Sequence, residues 1–331
     1  MSRRGGFGVL LVLAVALVGG TASAKLRLPW AFRTLPADSC GVTGGLVHPN
    51  WPTRLDELGV GWLRMPLTWE QVEPRPGELH IAEVVEWCEA LHERVPGIHI
   101  LVTYRMRAER PSHYPEDCER YLDTLSLLLE ACGGLVDAWQ IENEIDSPSW
   151  WGDDIADYEL LLSDVRDAAP PGTVLVCAGI TSENALLAWQ VSRGLVKLGP
   201  EAQARLAAVR HLLEYGEYNI ADIHLYDLPS TVRARVEWFR RQVPRSKGLW
   251  ATEVGGPDSR VTPYSDAAQV LDLRERVRGA LKGGATRVFW LGLYEGQEQG
   301  DTYNQMGLIR GDDVPKPAYY EYQRLIAKGT Q

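Results

Sequence analysis

The sequence predicts a single-domain α/β fold, a (β/α)8 barrel. Three observations carry this expectation: β-rich runs recur after residue 40, amphipathic helical stretches alternate with them, and no internal Pro/Gly-rich linker divides the chain. Parallel strands need crossover helices, and eight such units in about 290 residues suit a closed ring. A doubly wound open sheet is the alternative, but neither a G-x-G-x-x-G nor a P-loop supports it.

In order, the strand candidates are CGVTGG (40–45), the faintest, then VGWLRMPL (60–67), IHILVTY (98–104), LVDAWQIEN (135–143), TVLVCAGI (173–180), IADIHLYD (220–227), GLWATEV (248–254) and TRVFWLGLY (286–294). Between them, AEVVEWCEALHERV (82–95), YPEDCERYLDTLSLLLEAC (114–132), DIADYELLLSDVRDAA (154–169) and SDAAQVLDLRERVRGALKGG (265–284) place apolar residues at helical spacing, several ending at Gly or Pro. EPRPGEL (73–79) reads as a loop between a strand and its helix, and 183–216 as a stretch with more than one helix.

Residues 1–24 stand apart. Arg3 and Arg4, the apolar run VLLVLAVALV and Ala22-Ser23-Ala24 follow the layout of a secretory signal. The expectation is a secreted or periplasmic protein, cleaved near Ala24, with residues 25–331 forming the barrel. That run is shorter than the roughly 20 apolar residues a membrane span needs, and no later segment approaches this length. The formal charge of −10, or −12 without the two signal arginines, disfavours nucleic acid and fits a neutral partner. Five cysteines (Cys40, Cys88, Cys118, Cys132 and Cys177) lack C-x-x-C or C-x-x-H spacing, so no metal is expected and their pairing stays open. Oligomeric state is not legible.

Barrel chemistry gathers at the C-terminal ends of strands. There the sequence offers Arg64 and Trp69 from strand 2, Tyr104 near the end of strand 3, and Asn143-Glu144 after strand 4. Strand 6 offers His224 and Tyr226, strand 7 Glu253, and strand 8 Trp290 and Tyr294. Two carboxyls facing each other across a barrel mouth suit glycosidic bond cleavage. One protonates the leaving oxygen and the other attacks the anomeric carbon, at a separation of about 5–5.5 Å for retention.

On these residues the sequence resembles the clan A glycoside hydrolases, retaining (β/α)8 enzymes with an Asn-Glu pair after strand 4 and a Glu ending strand 7. GVGWLRMPLTWEQVEPRPGEL is similar to the strand 2 region of family 39 and related members, and MGLIRGDDVPKPAYYEYQRL to their closing segment. Ile145 departs from the Pro that many members carry after Asn-Glu. The resemblance implies Glu144 as acid/base, Glu253 as nucleophile, a carbohydrate or glycoside as partner, and no cofactor.

Asn143 is then expected to bond a sugar 2-hydroxyl, Arg64 to hold Glu253 ionised, and Tyr226 to donate to Glu253, with His224 lining the same pocket. Trp69, Trp150, Trp151 and Trp290 are candidates for stacking on sugar rings, in a chain with 12 Trp and 13 Tyr against 4 Phe. Glu142 precedes Glu144 by two residues and shares its side of the strand if the strand persists. It is expected to be a supporting carboxylate, with exchanged roles as the alternative. A glycan-binding barrel without activity and a transglycosylase stay open, whereas a metal-dependent barrel hydrolase lacks its His-x-His. Sugar, linkage, and exo or endo action are not legible.

Overall fold

The computed structural model describes residues 34–44, 48–107, 111–296 and 302–326. The signal-like segment and its cleavage site lie outside the described residues. Eight parallel strands close into a barrel in chain order: β1 (Cys40–Thr43), β2 (Trp62–Thr68), β3 (His99–Arg105), β4 (Ala138–Ile141), β5 (Leu175–Val176), β6 (Ile220–Leu225), β7 (Gly248–Val254) and β8 (Arg287–Leu291). Closure runs from Cys40 opposite Val288 to Thr43 opposite Leu291. Each expected strand run supplies one strand. Pairing is shortest at β5, where TVLVCAGI predicts a longer strand and only Leu175–Val176 forms one.

The helices among the described residues are α1 (Trp51–Leu58), α2 (Trp69–Val72), α3 (Ile81–Arg94), α4 (Cys118–Ala131), α5 (Ile155–Ala168), α6 (Ser182–Ser192), α7 (Pro200–Tyr215), α8 (Val232–Arg240), α9 (Asp266–Gly283) and α10 (Pro317–Leu325). The stretch 183–216 accordingly holds α6 and α7. Their ends follow local chemistry: the Ser265 side chain accepts from Ala268 N at the start of α9, and Gly284 ends it in the left-handed region at φ 109°. On α4, Tyr121, Thr124, Leu125, Leu128 and Leu129 form one buried stripe. Each buried leucine contributes about 2 kcal/mol by leaving water. No helix of the described residues is long and apolar enough to cross a membrane.

Inside the ring the side chains lie in layers. Toward the N-terminal end, Trp62, Leu101, Ala138, Val176, Trp250 and Phe289 form an apolar plug. Two residues further along β2, β3, β4 and β7, the inward side chains become Arg64, Thr103, Gln140 and Thr252, joined by Asp222 of β6. Gln140 Oε1 accepts from Arg64 Nε (3.0 Å) and Thr103 Oγ1 (2.9 Å), while Gln140 Nε2 donates to Asp222 Oδ2 (2.6 Å). Thr252 Oγ1 donates to the same Asp222 oxygen at 2.5 Å. This buried polar layer is the floor of the mouth.

Candidate active site

The floor fixes Arg64, and Arg64 orients the residues above it. Its Nη1 donates to Glu253 Oε1 at 2.6 Å and its Nη2 to Asn143 Oδ1 at 2.9 Å. Tyr226 donates its hydroxyl to Glu253 Oε2 at 2.5 Å. His224 Nδ1 lies 2.7 Å from Glu144 Oε1 and 3.4 Å from Glu253 Oε2, so one imidazole nitrogen stands between the two carboxyls. The ligand atoms of Glu144, His224 and Glu253 all lie within 4.8 Å of one another. Such a trio is close enough to hold a metal ion, but Arg64 and Tyr226 already engage both oxygens of Glu253.

A β-bulge puts Glu253 there. Strict alternation from Trp250 turns Thr252 inward and Glu253 outward. Instead Asp222 pairs with Trp250 and His224 with Glu253, so β7 spends one residue more than β6 over the same span. Thr252 and Glu253 consequently both face the interior.

Beyond β4 the chain leaves strand geometry: Glu142 and Glu144 have φ of 61° and 47°. The strand does not persist to the two glutamates, since it ends at Ile141, so the condition for them to share a side is not met. Glu142 turns away from the mouth, fully buried, with Oε1 accepting from Met106 N at 2.7 Å. Glu144 turns toward His224. Asp146 secures the turn from the other side, accepting from Thr181 N and Oγ1 and from Asn184 Nδ2 at the start of α6.

The two mouth carboxyls are pushed in opposite directions. Burial raises Glu144, and the neighbouring Glu253 charge adds to that against the opposing pull of His224. Burial would raise Glu253 too, but His224, Arg64 and Tyr226 together lower it to about 2. For His224, burial acts downward and is outweighed by Glu253, Asp222 and Glu144, which hold the imidazole well above its ordinary value. Outside the mouth, burial lifts Glu142 to about 7.

A cleft of about 390 Å³ opens over this group, its walls including Thr103, Arg105, Asn143, Trp150, Tyr226 and Tyr303. Of the expected site residues, Arg64, Asn143, Glu144, Trp150, His224, Tyr226 and Glu253 come together here. Two do not. Trp290 is fully buried and donates to Met306 O at 2.8 Å, which places it in the core with no face for a sugar. Trp69 lines a separate cleft, where it donates to Glu73 Oε2 and carries the Arg120 guanidinium 4.7 Å over its ring. Trp151 is likewise buried, packed edge-on against Tyr158, and Tyr294 donates to Asp313.

Arg105 is a mouth residue that the strand-end survey missed. It stands 4.3 Å over the Trp150 ring. Tyr104 packs outward on Tyr121 instead, and the parity of Thr103 was the signal that Arg105, not Tyr104, faces inward. Asp222 carried the same signal two residues before His224.

No protein-family model and no curated protein matches the sequence. Solved structures do resemble the fold. A family 39 glycoside hydrolase from Bacteroides cellulosilyticus WH2 aligns at TM-score 0.63 and 17% identity, over 88% of this chain and 64% of its own. The exo-β-1,4-mannosidase Op5Man5 from Opitutaceae bacterium strain TAV5 aligns at TM-score 0.63 and 14% identity, over 88% of this chain and 59% of its own. This chain therefore spans about three fifths of the length of both. GH5_18 from Streptomyces cattleya, solved with GlcNAc, aligns at TM-score 0.66 and 15% identity, over 88% of this chain and 80% of its own. The chain thus carries the (β/α)8 barrel found in clan A glycoside hydrolases.

Proposed function

We propose that this protein is a retaining glycosidase acting by double displacement. The observation that carries the proposal is the pair Glu144 and Glu253, with carboxyl oxygens within 4.8 Å and opposite tendencies to hold a proton. So close an approach favours the spacing of about 5–5.5 Å of retaining enzymes over the wider spacing of inverting ones.

Glu253, ionised beside Arg64, attacks the anomeric carbon as Glu144 gives its proton to the departing glycosidic oxygen. A glycosyl ester on Glu253 results. Glu144, now a carboxylate, then takes a proton from water, and the hydroxide portion displaces Glu253 with net retention. Asn143 Oδ1 is occupied by Arg64, so its amide nitrogen is the group offered to a sugar hydroxyl. Trp150 lines the cleft as an aromatic wall, with the Arg105 guanidinium stacked 4.3 Å over its ring. The signal-like layout of residues 1–24 supports export, to the periplasm or beyond.

The test is a panel of aryl glycosides with proton NMR of the first-formed anomer. Retained configuration is expected, with Glu253→Ala slower by at least about 10³-fold on every substrate cleaved. Release of the inverted anomer would overturn the mechanism, and undiminished Glu253→Ala turnover the site.

A further inference from the structure

The backbone rungs beside β6 run out just before Tyr226. Ile180 N donates to Asp222 O at 3.2 Å and His224 N to Ile180 O at 2.9 Å, so regular parallel pairing would next send Tyr226 N to the carbonyl of residue 182. That residue is Ser182, where the chain has already turned into α6. Its hydroxyl takes the place of the missing carbonyl, and Tyr226 N donates to Ser182 Oγ at 2.8 Å. A serine hydroxyl has one proton and two lone pairs. The proton goes to Asp227 Oδ2 at 2.5 Å, which leaves the lone pairs to the N–H groups of Tyr226 and, at 3.4 Å, Asp227. Arg235 Nη1, from α8, donates to the same Asp227 oxygen at 3.0 Å and lies 3.4 Å from both Ser182 O and Ser182 Oγ. Ser182 and Arg235 are each 0% exposed, so bulk water does not compete for these bonds. One residue before Tyr226, Leu225 O accepts from Arg276 Nη1 of α9 at 3.3 Å. Side chains of α6, α8 and α9 thus hold the end of β6 where the Tyr226 hydroxyl meets Glu253 Oε2.

We infer that Ser182 is a positioning residue for the nucleophile: through the backbone of Tyr226 it sets the hydrogen bond that Tyr226 gives to Glu253. Buried and bonded in this way, Ser182 acts through Tyr226 and not on a substrate. Loss of its Oγ leaves the Tyr226 N–H buried without an acceptor, so the end of β6 shifts and the Tyr226 hydroxyl loses its alignment on Glu253. The consequence for catalysis rests on the glycosidase reading, whereas the aim of Tyr226 at Glu253 does not.

In the full chain carrying isotope-labelled glutamate, the Glu253 carboxyl signal is identified by its loss in Glu253→Gln and followed by carbon NMR in Ser182→Ala, Tyr226→Phe and the double variant. The signal is expected to move in Ser182→Ala in the same direction as in Tyr226→Phe, with the double variant coinciding with Tyr226→Phe. On an aryl glycoside that the wild type cleaves, kcat should fall by about 10-fold in Ser182→Ala, inside the roughly 100-fold scale of a misplacement near 1 Å. In the Tyr226→Phe background the same change should lower kcat no further, whereas a purely structural role would add in full. Ser182→Cys keeps the volume with a weaker acceptor, should fall between wild type and Ser182→Ala, and carries the test if Ser182→Ala does not fold. An unmoved Glu253 signal or an unchanged kcat in the folded variant, or losses that add in the double variant, overturns the proposal. A moved signal beside undiminished Glu253→Ala turnover leaves the positioning standing and sinks the glycosidase reading alone.

Discussion

His224 couples the two mouth carboxyls. Its Nδ1 lies 2.7 Å from Glu144 Oε1 and 3.4 Å from Glu253 Oε2, so movement of charge at either glutamate is felt at the other through one ring. Glu142 has no such link, because its carboxyl faces Met106 behind the strand end. The consequence is a difference in failure. Glu144→Ala should spare activated aryl glycosides relative to poor leaving groups, and added azide should accelerate it and yield a glycosyl azide of retained configuration. Glu142→Ala should lose some activity with no azide effect. Product analysis by NMR checks both, and azide rescue confined to Glu142→Ala would exchange the roles of the two glutamates.

At the scale of elements, the mouth depends on places where regular geometry is broken. The bulge in β7 admits Glu253, the early end of β4 separates Glu142 from Glu144, and the short β5 leaves room beside β6. Gly179 marks that last space. A Cβ there would lie 2.0 Å from His224 Nε2, so the imidazole occupies the volume a side chain would need. Gly179→Ala should therefore push His224 out of line with both carboxyls and lower kcat by about 100-fold, the scale of a misplacement near 1 Å. Kinetics read alongside far-UV circular dichroism check this. Wild-type kcat in a folded Gly179→Ala protein would show that His224 position is not limiting.

For the whole molecule, the buried carboxyls make stability depend on pH in both directions. Glu253, held at about 2 against an ordinary 4.5, adds stability above pH 4.5 that is lost as pH falls toward 2. Glu142 runs the other way. Raised from 4.5 to about 7, it is protonated in the folded protein and ionised in the unfolded one between those values. Its contribution is complete below pH 4.5 and lost as pH rises through about 7, a swing on the order of 3 kcal/mol. Glu142→Gln keeps the shape without the ionisation, so its stability should fall less steeply than wild type between pH 4.5 and 7. Urea titrations across that range measure the difference, and parallel slopes would place the ionisation elsewhere.

The sequence by itself determined the barrel and the order of its strands, because apolar runs and helical periodicity are local properties that survive without a partner. It also placed Asn143, Glu144, His224, Tyr226 and Glu253 near strand ends and Arg64 on strand 2, since chain position alone assigns a residue to its strand. Direction was not local. Whether Glu253 faces inward depends on one extra residue measured against β6, and whether Glu142 joins Glu144 depends on where β4 stops pairing. Trp69, Trp150, Trp151 and Trp290 are all stacking candidates in the sequence, and only packing decided among them: Trp290 donates to Met306 O in the core, Arg120 covers Trp69, Trp151 packs on Tyr158, and Trp150 is left facing the mouth. Register, bulges and burial are relations between distant segments, so the tertiary structure alone could decide which of the strand-end residues became neighbours.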